Sequence, residues 1–123
     1  MVDSIYLSYL VIGLGGGIGA GLRFWVSESV AFPFGTIFVN VLGSFLIGIA
    51  FGIAINRFGE RLSLFLITGF LGGFTTFSTF SLDVLKLFQA DKVAFAVFYI
   101  SITLTASIFA VFLGVAITKS FLN

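Results

Sequence analysis

Uncharged hydrogen-bonding side chains lie inside long apolar stretches of this chain, and these residues are the first candidates for chemistry. Asn40 stands among aliphatic and aromatic neighbours, while Tyr99, Thr103 and Ser107 repeat at four-residue spacing and so share one helix face. A buried amide without a partner costs about 2 to 7 kcal/mol. Asn40 therefore either bridges two helices or serves a polar ligand, and each serine or threonine either bonds its own helix or does the same.

Paired glycines and paired threonines interrupt the third apolar stretch of the sequence. Both are poor residues for a helix interior, so we predict a break in the helix near Gly72 to Thr76. Backbone that is not helical at membrane depth must be buried in protein or line a wet cavity. The carbonyl oxygens that such a break exposes can bind a cation.

Aromatic residues follow the predicted break. Phe77 and Phe80 stand three residues apart on one helix face, with Ser78 beside them. The hydrogen-rich edge of a phenyl ring is electropositive, and amide and hydroxyl groups donate hydrogen bonds. Together with Asn40, these groups suit an anion better than a cation, because they present electropositive hydrogen atoms, and no charged residue is predicted in the middle of any span. The residues predict an uncharged anion path and leave the ion unnamed.

The composition of the chain places these residues in a membrane. Hydrophobic residues make up 59% of the 123 residues and charged residues only 9%, whereas about 25% of the residues in a soluble domain are charged. The charges separate four apolar stretches, each near the roughly 20 residues that a helix needs to cross a bilayer. We therefore predict an all-α membrane protein, a single domain 1–123 with transmembrane helices at about 4–24, 33–56, 62–88 with a break, and 93–119.

Short charged segments connect the predicted helices, at 23–28, 57–61 and 83–92. Lys and Arg divide equally between the two sides of the membrane: Arg23, Lys86 and Lys92 on one side, and Arg57, Arg61 and Lys119 on the other. An excess of Lys and Arg normally marks the cytoplasmic side. The equal division predicts insertion in both orientations and assembly as an antiparallel homodimer, since four thin helices can hardly enclose a polar path alone.

Glycines repeat at four-residue spacing on several predicted helices, a pattern that lets helix backbones approach closely in lipid. The repeats are Gly13, Gly17 and Gly21, and the pairs Gly15 with Gly19, Gly48 with Gly52, and Gly69 with Gly73. From the sequence alone, each repeat packs helices either within one subunit or between two.

Several classes of function are excluded by what the sequence lacks. It contains no cysteine or histidine, which removes thiolate catalysis and the commonest transition-metal ligands. No charged residue is predicted in the middle of any span, which argues against an enzyme with a carboxylate base and against a proton-coupled pump. No cluster of Lys and Arg is present that would follow a phosphate backbone, so nucleic acid is not a predicted partner.

Three segments resemble the signatures of the Fluc (CrcB) family of fluoride channels. They are 16–23 (GGIGAGLR), 35–45 (GTIFVNVLGSF) and 72–81 (GGFTTFSTFS), and the third is the most specific. The resemblance implies a dual-topology homodimer with two antiparallel fluoride pathways. This expectation agrees with the equal division of Lys and Arg.

The resemblance also implies roles for individual residues. By motif position, the fluoride pathway would comprise Asn40, Phe77, Ser78, Phe80, Tyr99, Thr103 and Ser107. Arg23 would give a vestibule a positive bias, unless it is an interfacial arginine whose charge reaches the membrane surface. A structural sodium ion at the dimer interface would bind the backbone carbonyls of Gly72 and Thr75.

The function that the resemblance implies is passive export of fluoride from a microbial cytoplasm across the cell inner membrane. Its partners would be fluoride, membrane lipid and a second copy of the chain. The alternative is a small dual-topology coupled exporter of the multidrug-resistance type, which carries a glutamate deep in its first helix. The first apolar stretch here, 4–22, has no acidic residue. A third interpretation, a non-conducting membrane assembly subunit, leaves Asn40 and Phe77 without a purpose.

Overall fold

The computed structural model describes residues 2–122, and the side chains of residues 4–122. Residues 1 and 123, which the predicted domain includes, lie outside this range. The helices are α1 (Val2–Ser29), α2 (Phe34–Arg57), α3 (60–74), α4 (Phe77–Gln89) and α5 (Val93–Leu122). Four segments are long and apolar enough to cross a membrane, namely Ser4–Ser29, Phe34–Arg57, Glu60–Gln89 and Val93–Leu122. The prediction of an all-helical chain with four such spans is confirmed.

The first helix is longer than predicted. It continues to Ser29, so the segment 23–28 is helical and does not form a connection. No glycine or proline interrupts this segment, and the Ser29 hydroxyl donates to the Trp25 carbonyl at 2.8 Å within the last turn. The chain turns at 30–33, and Pro33 stands immediately before the first residue of α2, where its missing N–H costs nothing.

The third span is built from pieces. Within α3, a turn of α-helix (Glu60–Ser63) leads into a π-helix (Leu64–Leu71) and a last turn (Gly72–Phe74). Thr75 and Thr76 then adopt extended backbone, with ψ angles of 159° and 124°, inside the segment where a break is predicted. The Thr76 hydroxyl accepts a hydrogen bond from the Thr79 amide at 3.1 Å and so caps the start of α4.

Glycines hold α1 against α3. Gly15 lies next to Gly69, and Gly19 lies next to Phe74, so the two helices run in the same direction. A Cβ added at Gly69 would come within 2.8 Å of a backbone oxygen of α1. These glycines therefore allow close backbone approach within one chain, which decides an alternative that the sequence left open.

Glycines also hold α2 against α5. The rings of Phe34 and Phe95, at the starts of the two helices, are 6.3 Å apart, and Gly48 lies against Gly114 further along. These two helices are therefore parallel to each other as well. The remaining glycine repeat differs, because a Cβ added at Gly13, Gly17 or Gly21 would meet no described atom within 4 Å.

The directions of the helices define two ends of the bundle. The start of α1, the end of α2, the start of α3 and the end of α5 meet at one end of the bundle, here named the terminal end. The connections 30–33 and 90–92 lie at the other, here named the loop end. Arg57, Arg61 and Lys119 lie at the terminal end, while Arg23, Lys86 and Lys92 lie toward the loop end.

Candidate functional site

Asn40 of α2 holds the break in the third span. Its Nδ2 donates to the Thr76 carbonyl at 3.0 Å, and its Oδ1 accepts from the Thr76 amide at 2.8 Å. The side-chain oxygen of Asn40 thus replaces the helical acceptor that the Thr76 amide lacks, and its amide nitrogen donates to the carbonyl of Thr76, the N-cap residue of α4. Because a primary amide has two N–H groups, one donor of Asn40 is left over after this pairing.

The same hydrogen bonds free two carbonyl groups beside the break. In a continuous helix, the Gly72 carbonyl would accept from the Thr76 amide and the Thr75 carbonyl from the Thr79 amide. Those amides donate instead to Asn40 and to the Thr76 hydroxyl. The two carbonyls named by the sequence as cation ligands are therefore released from their usual helical partners. Among the described residues, no cluster of three or more acidic, His or Cys side chains could hold a metal.

Arg23 also reaches the end of α3. Its Nε donates to the Gly73 carbonyl at 3.0 Å, and the side chain is half-buried. Since α1 continues to Ser29, Arg23 lies within a span and not in a connection. Its guanidinium therefore contributes positive charge close to the break.

A cavity of about 230 Å³, here named the central cavity, lies between α2, α4 and α5 and borders the break at Thr75 and Thr76. Its lining residues are Asn40, Ser44, Thr75, Thr76, Phe77, Phe80, Thr103, Leu104, Ser107 and Ile108. The hydroxyl oxygens of Thr103 and Ser107 are buried and have no hydrogen-bond partner among the described residues. Thr103 and Ser107, whose hydroxyls are unused, thus line a small cavity together with Asn40, whose amide keeps a spare N–H, and the other polar lining residues are Ser44, Thr75 and Thr76.

Two phenylalanine rings stand at this cavity in different environments. Phe80 is 5% exposed and stacks on Tyr99, with 5.2 Å between the ring centroids. Phe77 is 72% exposed, and its ring centroid lies 5.6 Å from that of Phe80. Phe77 therefore projects from the open side of the cavity, away from the rest of its own chain.

A buried carboxylate lies about one turn further along α4, and it corrects the predicted connection at 83–92. Asp83 is 4% exposed, and its Oδ2 accepts from the Thr36 hydroxyl at 2.6 Å and the Tyr99 hydroxyl at 2.9 Å. It belongs to helix α4, which continues to Gln89, and not to a connection. The carboxylate therefore lies within the span Glu60–Gln89, near its loop end and outside its middle. Two hydroxyl donors compensate the desolvation that burial imposes on the carboxylate.

The pattern of α4 contained a signal for this burial. Phe80, Asp83 and Leu87 have the spacing i, i+3 and i+7 of one helix face, and all three are buried. An acidic residue in register with large apolar residues is a candidate for a bonded core carboxylate. Grouping Asp83 with the charges that follow it in the sequence hid this register.

The predicted site residues do not all lie together. Asn40, Phe77, Phe80, Thr103 and Ser107 line the central cavity. Two others do not line it: the hydroxyl of Tyr99 is bonded to Asp83 in the interior, and the hydroxyl of Ser78 lies 3.3 Å from that of Thr76 on an exposed surface.

A second polar hollow, of about 240 Å³, lies toward the loop end. Its polar lining residues are Ser27, Glu28, Thr36, Thr79, Asp83 and Lys86. Because Thr76 lines the central cavity and Thr79 lines this hollow, the two spaces follow each other along α4. The two spaces are here together named the polar track, and they lie one after the other between the break and the loop end.

Comparison with known proteins gives this site a family. The family model described as "CrcB-like protein, Camphor Resistance (CrcB)" matches residues 10–115, most of the chain. The chain belongs to the CrcB family. The matched range includes the break, the cavity and the polar hollow.

Curated relatives agree with the family match. A protein of Azobacteroides pseudotrichonymphae named "Fluoride-specific ion channel FluC" is 43% identical over 129 residues, covering 98% of this chain and 100% of the relative. Proteins with the same name from Francisella tularensis subsp. mediasiatica and Agrobacterium fabrum are 44% and 42% identical, covering 88% and 93% of this chain and 92% and 98% of their own lengths. These names describe an ion channel and not an enzyme. With its four apolar helices, the chain is a multi-pass membrane protein.

Proposed function

We propose that this chain conducts fluoride passively across a membrane and lowers the fluoride concentration of a microbial cytoplasm. The observation that carries the proposal is the central cavity, which is lined by Asn40, by the rings of Phe77 and Phe80, and by Thr103 and Ser107, whose buried hydroxyls have no hydrogen-bond partner among the described residues. The names of the relatives support fluoride as the ion. The membrane would be the inner membrane of the cell.

The cavity offers donors to an anion and no cationic side chain. A small anion gives up much hydration energy on leaving water, and many weak donors must replace it. Hydroxyl groups, the spare N–H of Asn40 and the edges of Phe77 and Phe80 are such donors. Fluoride, the smallest halide and a strong hydrogen-bond acceptor, would gain most from them, whereas a larger anion accepts weaker hydrogen bonds.

The remaining pathway residues would act around this cavity. We place Thr36, Thr79 and Asp83 along the polar track, where the two hydroxyls bonded to Asp83 reduce the repulsion between its carboxylate and a passing anion. Tyr99 would act through Asp83, and Ser78 would donate at the exposed side of α4. Arg23 would raise the local anion concentration at a vestibule, because a half-buried guanidinium is weakly screened.

The proposed pathway is completed by a second copy of the chain in antiparallel orientation. Phe77 is 72% exposed at the open side of the cavity. A second subunit would cover this ring and close the cavity. The unoccupied face of Gly13, Gly17 and Gly21 allows close approach of another helix. The equal numbers of Lys and Arg at the two ends support insertion in both orientations.

A sodium ion would fit the break in such a dimer. The carbonyls of Gly72 and Thr75 are released by the bonds of Asn40 and Thr76, and backbone carbonyls are hard oxygen ligands of the kind that unwound membrane helices offer to sodium. Two carbonyls from each chain would provide four ligands about a twofold axis. The ion would supply positive charge that holds the two breaks together.

Fluoride efflux from liposomes tests the proposed function. Purified protein is reconstituted into vesicles loaded with potassium fluoride or potassium chloride, and a potassium ionophore balances the charge. Rapid fluoride release without chloride release is expected. Release of fluoride only under an imposed proton gradient would indicate a coupled transporter and would overturn the proposal.

A further inference from the structure

A groove at the terminal end lies between the last turns of α2 and α5, apart from the proposed pathway residues. Its volume is about 240 Å³, and its lining residues are Phe51, Gly52, Ile55, Asn56, Val115, Thr118, Lys119 and Leu122. The apolar members form the walls. Asn56 and Lys119, both exposed, stand near the ends of the two helices at the mouth of the groove.

At the floor of the groove, α2 and α5 pack closely, and the one hydroxyl there is bonded within its own helix. A Cβ added at Gly52 would lie 2.8 Å from the side chain of Thr118, so glycine at this position lets Thr118 of α5 pack directly against α2 at the floor of the groove. The hydroxyl of Thr118 donates to the Gly114 carbonyl at 2.9 Å and is buried. The interior of the groove therefore offers hydrocarbon, and its polar groups are confined to the mouth.

The charges around the groove favour an anion. At the terminal end, the sequence places three cations, Arg57, Arg61 and Lys119, against two carboxylates, Asp3 and Glu60. Toward the loop end, three cations stand against three carboxylates, Glu28, Asp83 and Asp91. Arg57 is the last residue of α2, where its charge also offsets the helix carbonyls. Lys119 and Asn56 are thus left as the groups nearest to the mouth.

We propose that this groove binds an anionic phospholipid. Its phosphate would accept hydrogen bonds from Lys119 Nζ and Asn56 Nδ2, and the upper part of one acyl chain would lie on Phe51, Ile55 and Val115. The ends of two transmembrane helices are at the depth of lipid headgroups, so an apolar groove below a cation matches the two parts of such a lipid. In an antiparallel dimer, the two grooves would open to opposite leaflets.

The test is native mass spectrometry of the purified protein released from detergent micelles with added phosphatidylglycerol or phosphatidylcholine. We expect the protein to retain phosphatidylglycerol in preference, and Lys119→Gln to weaken that retention about fivefold. Lys92→Gln is the matched control, since Lys92 also closes an apolar hollow, of about 400 Å³, at the end where the charges balance. It should leave retention unchanged. Ile55→Ser, an exposed position, should weaken retention of phosphatidylglycerol without changing the charge.

Four results would overturn the proposal. Equal retention of the two lipids, or equal loss for Lys119→Gln and Lys92→Gln, would show that no selective site exists at this groove. Full competition by inorganic phosphate would show that the acyl chain contributes nothing. The chain has no cysteine, so Ile55→Cys introduces a single thiol. Efficient crosslinking of this thiol to Asn56→Cys on a second copy would show that a partner subunit occupies the groove.

Discussion

Two junctions join α2 to the third span, and their residues on α2 are one helical turn apart. One junction is neutral and the other is charged. At the first, the neutral amide of Asn40 pairs with the peptide group of Thr76. At the second, the hydroxyls of Thr36 and Tyr99 both donate to the buried carboxylate of Asp83. The neutral junction leaves a donor unused, whereas the charged junction consumes two. Free hydrogen-bond donors for an anion are therefore expected at the neutral junction and not at the charged one.

The same contrast divides one polar stripe of α5. Tyr99, Thr103 and Ser107 share a helix face, yet the Tyr99 hydroxyl serves Asp83 while the hydroxyls of Thr103 and Ser107 have no described partner. A buried hydroxyl without a partner is costly to the fold. The protein tolerates this cost twice beside the same cavity. The two hydroxyls are thus the groups whose removal best separates function from stability.

The largest effect on fluoride flux is expected when a negative charge is introduced at the neutral junction. Asn40→Asp replaces a donor with a carboxylate that faces the Thr76 carbonyl and the cavity. At an effective dielectric constant of about 20, a unit charge about 4 Å away opposes an anion by about 4 kcal/mol. Fluoride flux in liposomes should therefore fall by more than about 100-fold.

The control for this prediction is Gln89→Glu, the same amide-to-carboxylate change at the exposed end of α4. It should conduct normally. Size-exclusion chromatography must show that both variants assemble like the native protein. Normal fluoride flux in a correctly assembled Asn40→Asp protein would contradict the assignment of Asn40 to the pathway.

Removing the charged junction should act mainly on stability. Asp83→Ala takes the acceptor from two buried hydroxyls, and each unpartnered group costs about 1 to 3 kcal/mol. We expect the free energy of unfolding, measured by titration with sodium dodecyl sulfate, to fall by about 2 to 3 kcal/mol. Asp83→Asn retains an acceptor oxygen and should lose less. If both variants lose the same amount, the charge and not the acceptor is what Thr36 and Tyr99 require.

Removing the unused donors should separate flux from stability. Thr103→Val and Ser107→Ala delete hydroxyls that bond to nothing in the described chain. The free energy of unfolding should stay the same or rise slightly, because a buried unsatisfied group is removed. Fluoride flux should fall about tenfold, the equivalent of about 1.4 kcal/mol at the barrier. A loss of stability with unchanged flux would show that the hydroxyls serve the fold.

The sequence allowed part of the fold and of the two junctions to be predicted. The four spans and the break follow from local properties, apolar length and the poor helix propensity of Gly72 to Thr76, so they were predictable. The role of Asp83 depends on Thr36 and Tyr99, which lie on two other helices, and no local pattern reveals that both hydroxyls converge on it. The π-helix Leu64–Leu71 was not predicted either, because a widened turn is set by packing against α1 and not by composition.

The smallest effect is expected from the ring of Phe80. Phe80→Ile removes an aromatic edge from the cavity and a ring that stacks on Tyr99, and it keeps an apolar side chain in a buried position. Because a phenyl edge attracts an anion only weakly, fluoride flux should fall severalfold and not be abolished. Phe109→Ile is the matched control, since Phe109 is 66% exposed and lines an apolar groove on the opposite face of α5. Equal flux in the two variants would show that the electropositive edge contributes nothing to conduction, and that the donors between the two junctions suffice.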